Sequence, residues 1–209
     1  MAALVPQLET RRPTIFTTQA LLSVSLYGLI LAVPVLISMM VVSVVQFGMI
    51  TFLVPCLTIA ITLFFLPLGF GNPCIARLVR PLQPNPQVHQ ELYVVQLTRT
   101  PRTRSGLLAI LEDADDIGFL NFVDSTLVFS GDSFHLNVPY DQIKDFRLQN
   151  AGWRALFLYG APVTFSVASL PEAGSFTFVE RSSCVLPTSR RNARKMYLHL
   201  RDRIQATAS

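Results

Sequence analysis

The sequence predicts a membrane α-helical hairpin of two transmembrane helices followed by a mainly β domain, a sandwich or partly open barrel closed by a C-terminal amphipathic helix. Three observations carry that expectation. No Asp, Glu, Lys or Arg stands between Arg12 and Arg77, and a bilayer core of ~30 Å is crossed by about 20 apolar helical residues, so the run holds two crossings and a turn. From Ile117 onward, short apolar runs alternate with turn residues at the spacing of antiparallel strands. After Pro187, apolar side chains recur at helical spacing.

Composition agrees with a two-part chain. The 209 residues are 51% hydrophobic and 14% charged, with a mean hydropathy of +0.44. That is too apolar for one water-soluble globule, and the excess lies in the opening run. The chain beyond Ala76 is long enough for one compact domain. The net charge of +4 points to anionic lipid before nucleic acid, because Arg11, Arg12, Arg77 and Arg80 flank the expected spans, where basic residues set topology. Cys56, Cys74 and Cys184 have no close spacing, so neither a disulfide framework nor a zinc site is indicated.

Residues 1–17 form a short cytoplasmic head in which Pro6 and Pro13 discourage a long helix. Thr10-Arg11-Arg12 resembles a twin-arginine start, but Pro13 and Thr14 displace the apolar pair that should come next. No Ala-x-Ala site closes the segment, which favours an uncleaved anchor. The hairpin occupies 18–71, with a first span from Thr18 to Val45 kinked at Pro34, a turn at Gln46-Phe47-Gly48, and a second span from Met49 to Phe70. Gly28, Ser23, Ser25, Ser38 and Ser43 offer small surfaces for helix contact, either within the hairpin, the preferred reading, or against other membrane helices. Neither span contains an ionisable residue, which argues against transport.

A stiff linker spans 72–90, with Pro81, Pro84 and Pro86. The domain covers 91–206 and opens on a strand at Leu92–Leu97. Ser105–Leu111 is apolar but of unsettled type. Glu112, Asp113, Asp115 and Asp116 lack the alternation and central Gly of a calcium loop and read as a solvated acidic loop. Strands are expected at Ile117–Val123, Thr126–Ser130 and Phe134–Val138, the last alternating strictly with His135 and Asn137. The series continues through Phe146–Leu148, Ala155–Tyr159, Val163–Val167, Ser175–Glu180 and Cys184–Leu186. Turns fall at Ser130–Ser133, Asn150–Gly152, Gly160–Pro162 and Leu170–Gly174. Thr188 or Ser189 should cap the closing helix. There Ala193, Met196, Tyr197, Leu200 and Ile204 form the apolar stripe, and Arg190, Arg191, Arg194, Lys195, Arg201 and Arg203 make the remainder cationic.

About seven antiparallel strands closed by one amphipathic helix resemble the pleckstrin-homology-like superfold. The segment from Thr126 to Ile143, with its strand–turn–strand and the Pro139-x-x-x-Ile143 entry, is similar to bacterial PH-like domains. A two-span hairpin ahead of it is similar to small bacterial membrane-flanked PH proteins. The resemblance covers residues 91–205 and the hairpin. It implies a non-enzymatic binding or scaffold module at the cytoplasmic face of a bacterial plasma membrane, with both termini cytoplasmic. Eukaryotic PH domains usually carry a Trp in the closing helix, whereas the Trp here is Trp153, and no basic phosphoinositide loop is evident, so that specificity is not implied.

No nucleophile elbow, P-loop, metalloprotease helix, Cys-x-x-Cys or dinucleotide fingerprint occurs. His89, His135 and His199 cannot be drawn into a triad by spacing, and Cys184 reads as a small buried side chain. No catalytic, cofactor or metal residue is therefore assigned. The expected partners are anionic lipid headgroups, met by Arg190, Arg191, Arg194, Lys195, Arg201 and Arg203, and other membrane protein subunits; no nucleic acid is expected. The alternative function is an accessory subunit of a larger integral membrane complex. Trp153, Phe157 and Tyr159 are the aromatics considered for a contact role, although core packing explains them as well.

Overall fold

The computed structural model describes residues 5–47, 72–83, 92–101, 106, 112–123, 125–149, 161–183 and 185–208. The expected second span, the strand at Ala155–Tyr159 with Trp153 and Phe157, and Cys56, His89 and Cys184 lie outside them. Eight strands form one sheet: β1 (Gln7–Thr10), β2 (Leu92–Thr100), β3 (Asp116–Val123), β4 (Thr126–Gly131), β5 (Phe134–Pro139), β6 (Ile143–Leu148), β7 (Val163–Val167) and β8 (Ser175–Glu180). Among the described residues, three α-helices accompany it: α1 (Thr18–Phe47), α2 (Asn72–Leu78) and α3 (Leu186–Ala208).

The strand order is β1-β5-β4-β3-β2-β8-β7-β6, and every neighbouring pair is antiparallel. Strands β2 to β5 and β6 to β8 pair in sequence as hairpins, and two long-range pairings, β1 with β5 and β2 with β8, complete the sheet. The sheet must curl, because Phe129 of β4 and Phe178 of β8 meet with ring centroids 5.4 Å apart. Three strand intervals separate those positions, roughly 14 Å across a flat sheet. Among the described residues, β1 and β6 form the two edges of the curled sheet and do not pair with each other. A bulge between Lys144 and Arg147, with Asp145 at φ 52°, interrupts pairing at the β6 edge and so discourages association through it.

Inside the curl lie Leu120, Phe122, Leu127, Leu136, Val138, Phe165 and Phe176, all buried. Helix α3 closes this core with Ala193, Met196 and Leu200 buried and with Tyr197 and Ile204 half-buried. Tyr197 stacks on Phe146 of β6 at 4.8 Å between centroids. The helix starts earlier than expected, at Leu186, with Pro187 in its first turn, where a missing N–H costs nothing. Ser189 is no cap; it is buried and donates its hydroxyl to Glu180 Oε2 at 3.2 Å. Of the strand expected at Cys184–Leu186, Val185 leads into this helix and Leu186 opens it, and Cys184 lies outside the described residues.

The outer face of β2 and β3 is buried as well. Ile117 and Phe119 of β3 turn away from the curl and pack with Phe16, Leu21, Ile75, Val79 and Ala114. This second cluster corrects the membrane reading. Both ends of the uncharged run are used in protein contact, through Phe16 and Leu21 at the base of α1 and through Ile75 of α2. Among the described residues, no helix is long and apolar enough to cross a membrane. The two-span anchor, the multi-pass integral placement in a bacterial plasma membrane, and the orientation read from Arg11, Arg12, Arg77 and Arg80 are thereby overturned. Gln46 and Phe47, expected in the hairpin turn, continue α1. Farther along the helix, Leu26, Ile30, Ile37, Val41 and Val45 are exposed.

Two further expectations are corrected. The head is part of the sheet: Gln7–Thr10 pairs with Asn137–Phe134 of β5. The linker begins as structure, with α2 and a 3-10 turn over Arg80–Leu82 docked by Ile75 and Val79. Leu200 is 1% exposed in the inner core, so Leu200→Ala is expected to cost ~2–5 kcal/mol. Denaturant unfolding of the full chain measures this, with the exposed Gln205→Ala expected within about 0.5 kcal/mol of the parent.

Candidate functional site

The outer face of α3 carries Arg190, Arg191, Arg194, Lys195, Arg201 and Arg203, and all six are exposed. The buried stripe of Ser189, Ala193, Met196 and Leu200 fixes this orientation, since residues off that stripe must face away from the core. Arg201 pairs with its neighbour Asp202 at 3.0 Å. Among the described residues, no ion pair engages Arg191, Arg194, Lys195 or Arg203. Four of the cations, Arg190, Arg191, Arg194 and Lys195, fall in the N-terminal half of the helix, and its first turn contains no acid. The Arg190/Arg194 and Arg191/Lys195 pairs add like-charge repulsion at i, i+4. At the base of the helix, Glu180 of β8, fully buried, accepts the Ser189 hydroxyl and the Ser182 amide.

The residues expected to set topology do not join this face. Arg11 is exposed and pairs with Glu9 at 3.0 Å; Arg12, Arg77 and Arg80 are exposed at the N-terminal segment, on α2 and in the 3-10 turn after it.

The acidic stretch departs most from expectation. Glu112, Asp115 and Asp116 are 3%, 6% and 0% exposed, so the solvated loop is overturned. Asp116 Oδ2 accepts the amides of Ser133 at 3.0 Å and Phe134 at 2.7 Å, while Oδ1 accepts that of Ile117 at 2.9 Å. Burial nevertheless dominates and pushes its pKa up to about 6. Asp132, across the β4–β5 turn, holds the N-terminal segment. Its Oδ2 accepts three successive amides, Thr14 at 2.9 Å and Ile15 and Phe16 at 2.8 Å, and its Oδ1 accepts the Thr14 hydroxyl at 2.6 Å. Burial raises that carboxyl, but these bonds outweigh it and hold the pKa below the ordinary value.

A third group lies on the outer face of the sheet. Arg181, 5% exposed, donates from Nε to Asn72 Oδ1 at 2.5 Å and from a terminal nitrogen to Gln96 Oε1. The Asn72 amide group donates to the Ser183 carbonyl at 2.5 Å. Gln96 Nε2 donates to Asp113 Oδ1 at 3.2 Å. Glu112 shares a hydrogen bond with Asp113, and burial pushes it up to about 7 against the opposing pull of Arg181. A backbone bond from Arg99 to Asp115 Oδ2 at 2.7 Å draws that carboxylate elsewhere. Glu112 and Asp113 thus form a pair, while Asp115 and Asp116 turn to separate backbone partners. Among the described residues, no group of three or more His, Cys, Asp or Glu could hold a metal ion.

The histidines stay apart. His135 on β5 approaches Ser130 Oγ at 3.5 Å, and His199 on α3 meets the Tyr93 hydroxyl at 2.9 Å and the edge of Phe122. Burial raises the Cys74 thiol, with Arg77 opposing, which disfavours the thiolate a nucleophile needs. Reading the sequence missed Arg181, Asp116 and Asp132 as organising residues. The available signal was that all three stand at strand ends, where a polar side chain can reach groups the sheet leaves unpaired.

No family model matches the chain, no curated protein matches it, and no solved structure matches it.

The carboxyls give stability a pH dependence of definite sign. Asp116 and Glu112 bind protons more tightly when folded, so their contribution is full below about pH 4 and is lost as pH rises through about 6 and 7. Asp132 acts oppositely, contributing above its ordinary value of 3.8 and losing that contribution in stronger acid. Thermal unfolding should therefore show a higher midpoint at pH 5 than at pH 8, with a fall below pH 4. Glu112→Gln should flatten the upper limb, and Asp132→Asn should flatten the acid limb.

Proposed function

We propose that the chain is a non-enzymatic PH-like binding or scaffold module that docks on anionic lipid headgroups through the outer face of α3. The observation that carries the reading is the clustering of exposed cations on one helix face, where Arg190 and Arg194, and Arg191 and Lys195, stand as like charges four residues apart. Such an arrangement costs stability in the free protein and is relieved by an anionic surface. Each basic residue near such a surface contributes about 1 kcal/mol, an effect that fades within a Debye length of ~8 Å at physiological salt. The two antiparallel meanders, β2 to β5 and β6 to β8, followed by α3 support the PH-like reading, since a run of antiparallel strands closed by one C-terminal helix is what that resemblance implies.

A second reading, an accessory subunit of a larger assembly, is favoured by the exposed apolar side chains Leu26, Ile30, Ile37, Val41 and Val45 of α1, which a protein partner would cover. Under it, partner binding would survive high salt, whereas lipid docking through α3 would not.

Co-sedimentation of the full chain with vesicles of graded anionic lipid content tests the first reading. Binding should rise with anionic content and fall with salt. The variant carrying Gln at Arg190, Arg191, Arg194 and Lys195 should bind at least tenfold more weakly, since losing even two such contacts removes about 2 kcal/mol. Equal binding by the two proteins, or binding that ignores lipid charge, would exclude the electrostatic role.

A further inference from the structure

The polar group beneath α2 has no part in docking through α3, yet it is built with unusual care. Asn72, Gln96, Glu112 and Arg181 are each at most 7% exposed. They come from four separate places: the first residue of α2, the middle of β2, the segment before β3, and the residue after β8. We propose that the Glu112–Asp113 carboxyl pair, set against Arg181, is a pH-sensitive latch that holds α2 on the sheet, tight with one proton on the pair and loosened with none.

With one shared proton, the pair carries a single negative charge beside the Arg181 guanidinium, and the buried group is neutral overall. Arg181 then keeps its bonds to Asn72 and Gln96, and Asn72 fixes the start of α2. Removing the proton leaves two adjacent carboxylates against one cation and breaks the hydrogen bond between them. The excess buried charge is costly, and water entry or a shift of Arg181 toward the carboxylates relieves it at the expense of the Asn72 contact. The direction agrees with the raised proton affinity of Glu112.

The charged surroundings leave these groups in control. From the end of β8, Arg181 acts on the charge of Glu112 and is linked to Asp113 through Gln96. On the same segment as the pair, Asp115 is tied to the Arg99 amide. From α2 comes Arg77, which is exposed. The turns of α1 packed in the adjoining apolar cluster carry no charge. Asp116 of β3 is held by the amides of Ser133, Phe134 and Ile117, and since Ile117 packs with Ile75 and Val79, its titration is common to the parent and to Glu112→Gln and is removed by comparing them.

Hydrogen exchange of the full chain, resolved to the amides of Ile75–Val79 and corrected for the intrinsic effect of pH, tests the latch. Exchange there should rise about tenfold between pH 6 and pH 8, the effect of roughly one pKa unit of coupling. The Phe176 and Phe178 amides of β8 should rise less, by no more than the loss of global stability that denaturant unfolding measures between the two pH values. In Glu112→Gln, which keeps shape and hydrogen bonding without a titrating proton, the α2 amides should show no such rise. Should that variant fail to fold, Asp113→Asn is read in the same way. A flat profile in the parent, a rise that persists in the variant, or a parallel rise in β8 would each overturn the proposal.

Discussion

The structure depends on two carboxylates placed back to back at the β4–β5 turn. Asp116 reaches the turn from the start of β3 and takes the amides of Ser133 and Phe134; Asp132 leaves the turn and takes those of Thr14, Ile15 and Phe16. Burying a carboxylate is expensive unless several donors converge on it. Here the donors are backbone amides of turning segments, which would otherwise lack partners. One acid thus fixes where β5 begins and the other fixes the chain ahead of α1. Thr17 then caps that helix, its Oγ1 accepting the Ala20 amide at 3.2 Å. Gly131 sits between the acids because a Cβ there would collide with Asp116 Oδ2 and the Phe129 ring.

From that turn the two sides of the sheet acquire different coverings. Side chains alternate across a strand, so β3 sends Leu120 and Phe122 into the curl and Ile117 and Phe119 outward. Helix α3 closes the first set, and α2 with the base of α1 covers the second. Buried on both faces, β3 reads as a nearly continuous apolar run. On β5, where Phe134, Leu136 and Val138 point inward and His135 and Asn137 outward, the covering is one-sided and the alternation is clean.

The legible parts of the fold were those governed by local period. Val163–Val167 and Ser175–Glu180 stand where alternation and turn residues placed strands, and the stripe from Ala193 to Ile204 lies on the core as helical spacing implied. Periodicity could not say what would bury an uncharged run, because lipid and a sheet face make the same demand on composition. Phe16, Leu21, Ile75 and Val79 belong to the second case through contacts far apart in sequence. Nor could four acids in close succession reveal their burial, since the partners that make it tolerable, Arg181, Ser133 and Phe134, arrive from other strands. The cations of α3 were legible because a helix side facing away from an apolar stripe faces solvent; Glu180 beneath them was not.

Charge is divided by burial as much as by sequence. Glu112, Asp115, Asp116, Asp132 and Glu180 are all at most 6% exposed, whereas the six basic residues of α3 stand in solvent. A net charge of +4 therefore understates how basic the exterior is, for acids committed to backbone amides or to Arg181 do not intermingle with the surface cations. Two of them, Asp116 and Glu112, are further neutralised as the medium becomes mildly acidic. Protonating them removes negative charge from the interior and strengthens the folded state at once. The cationic field of α3 and the rigidity of the sheet beneath it consequently increase together as pH falls from 8 toward 5, which ties any electrostatic docking by this face to the protonation of groups it never touches.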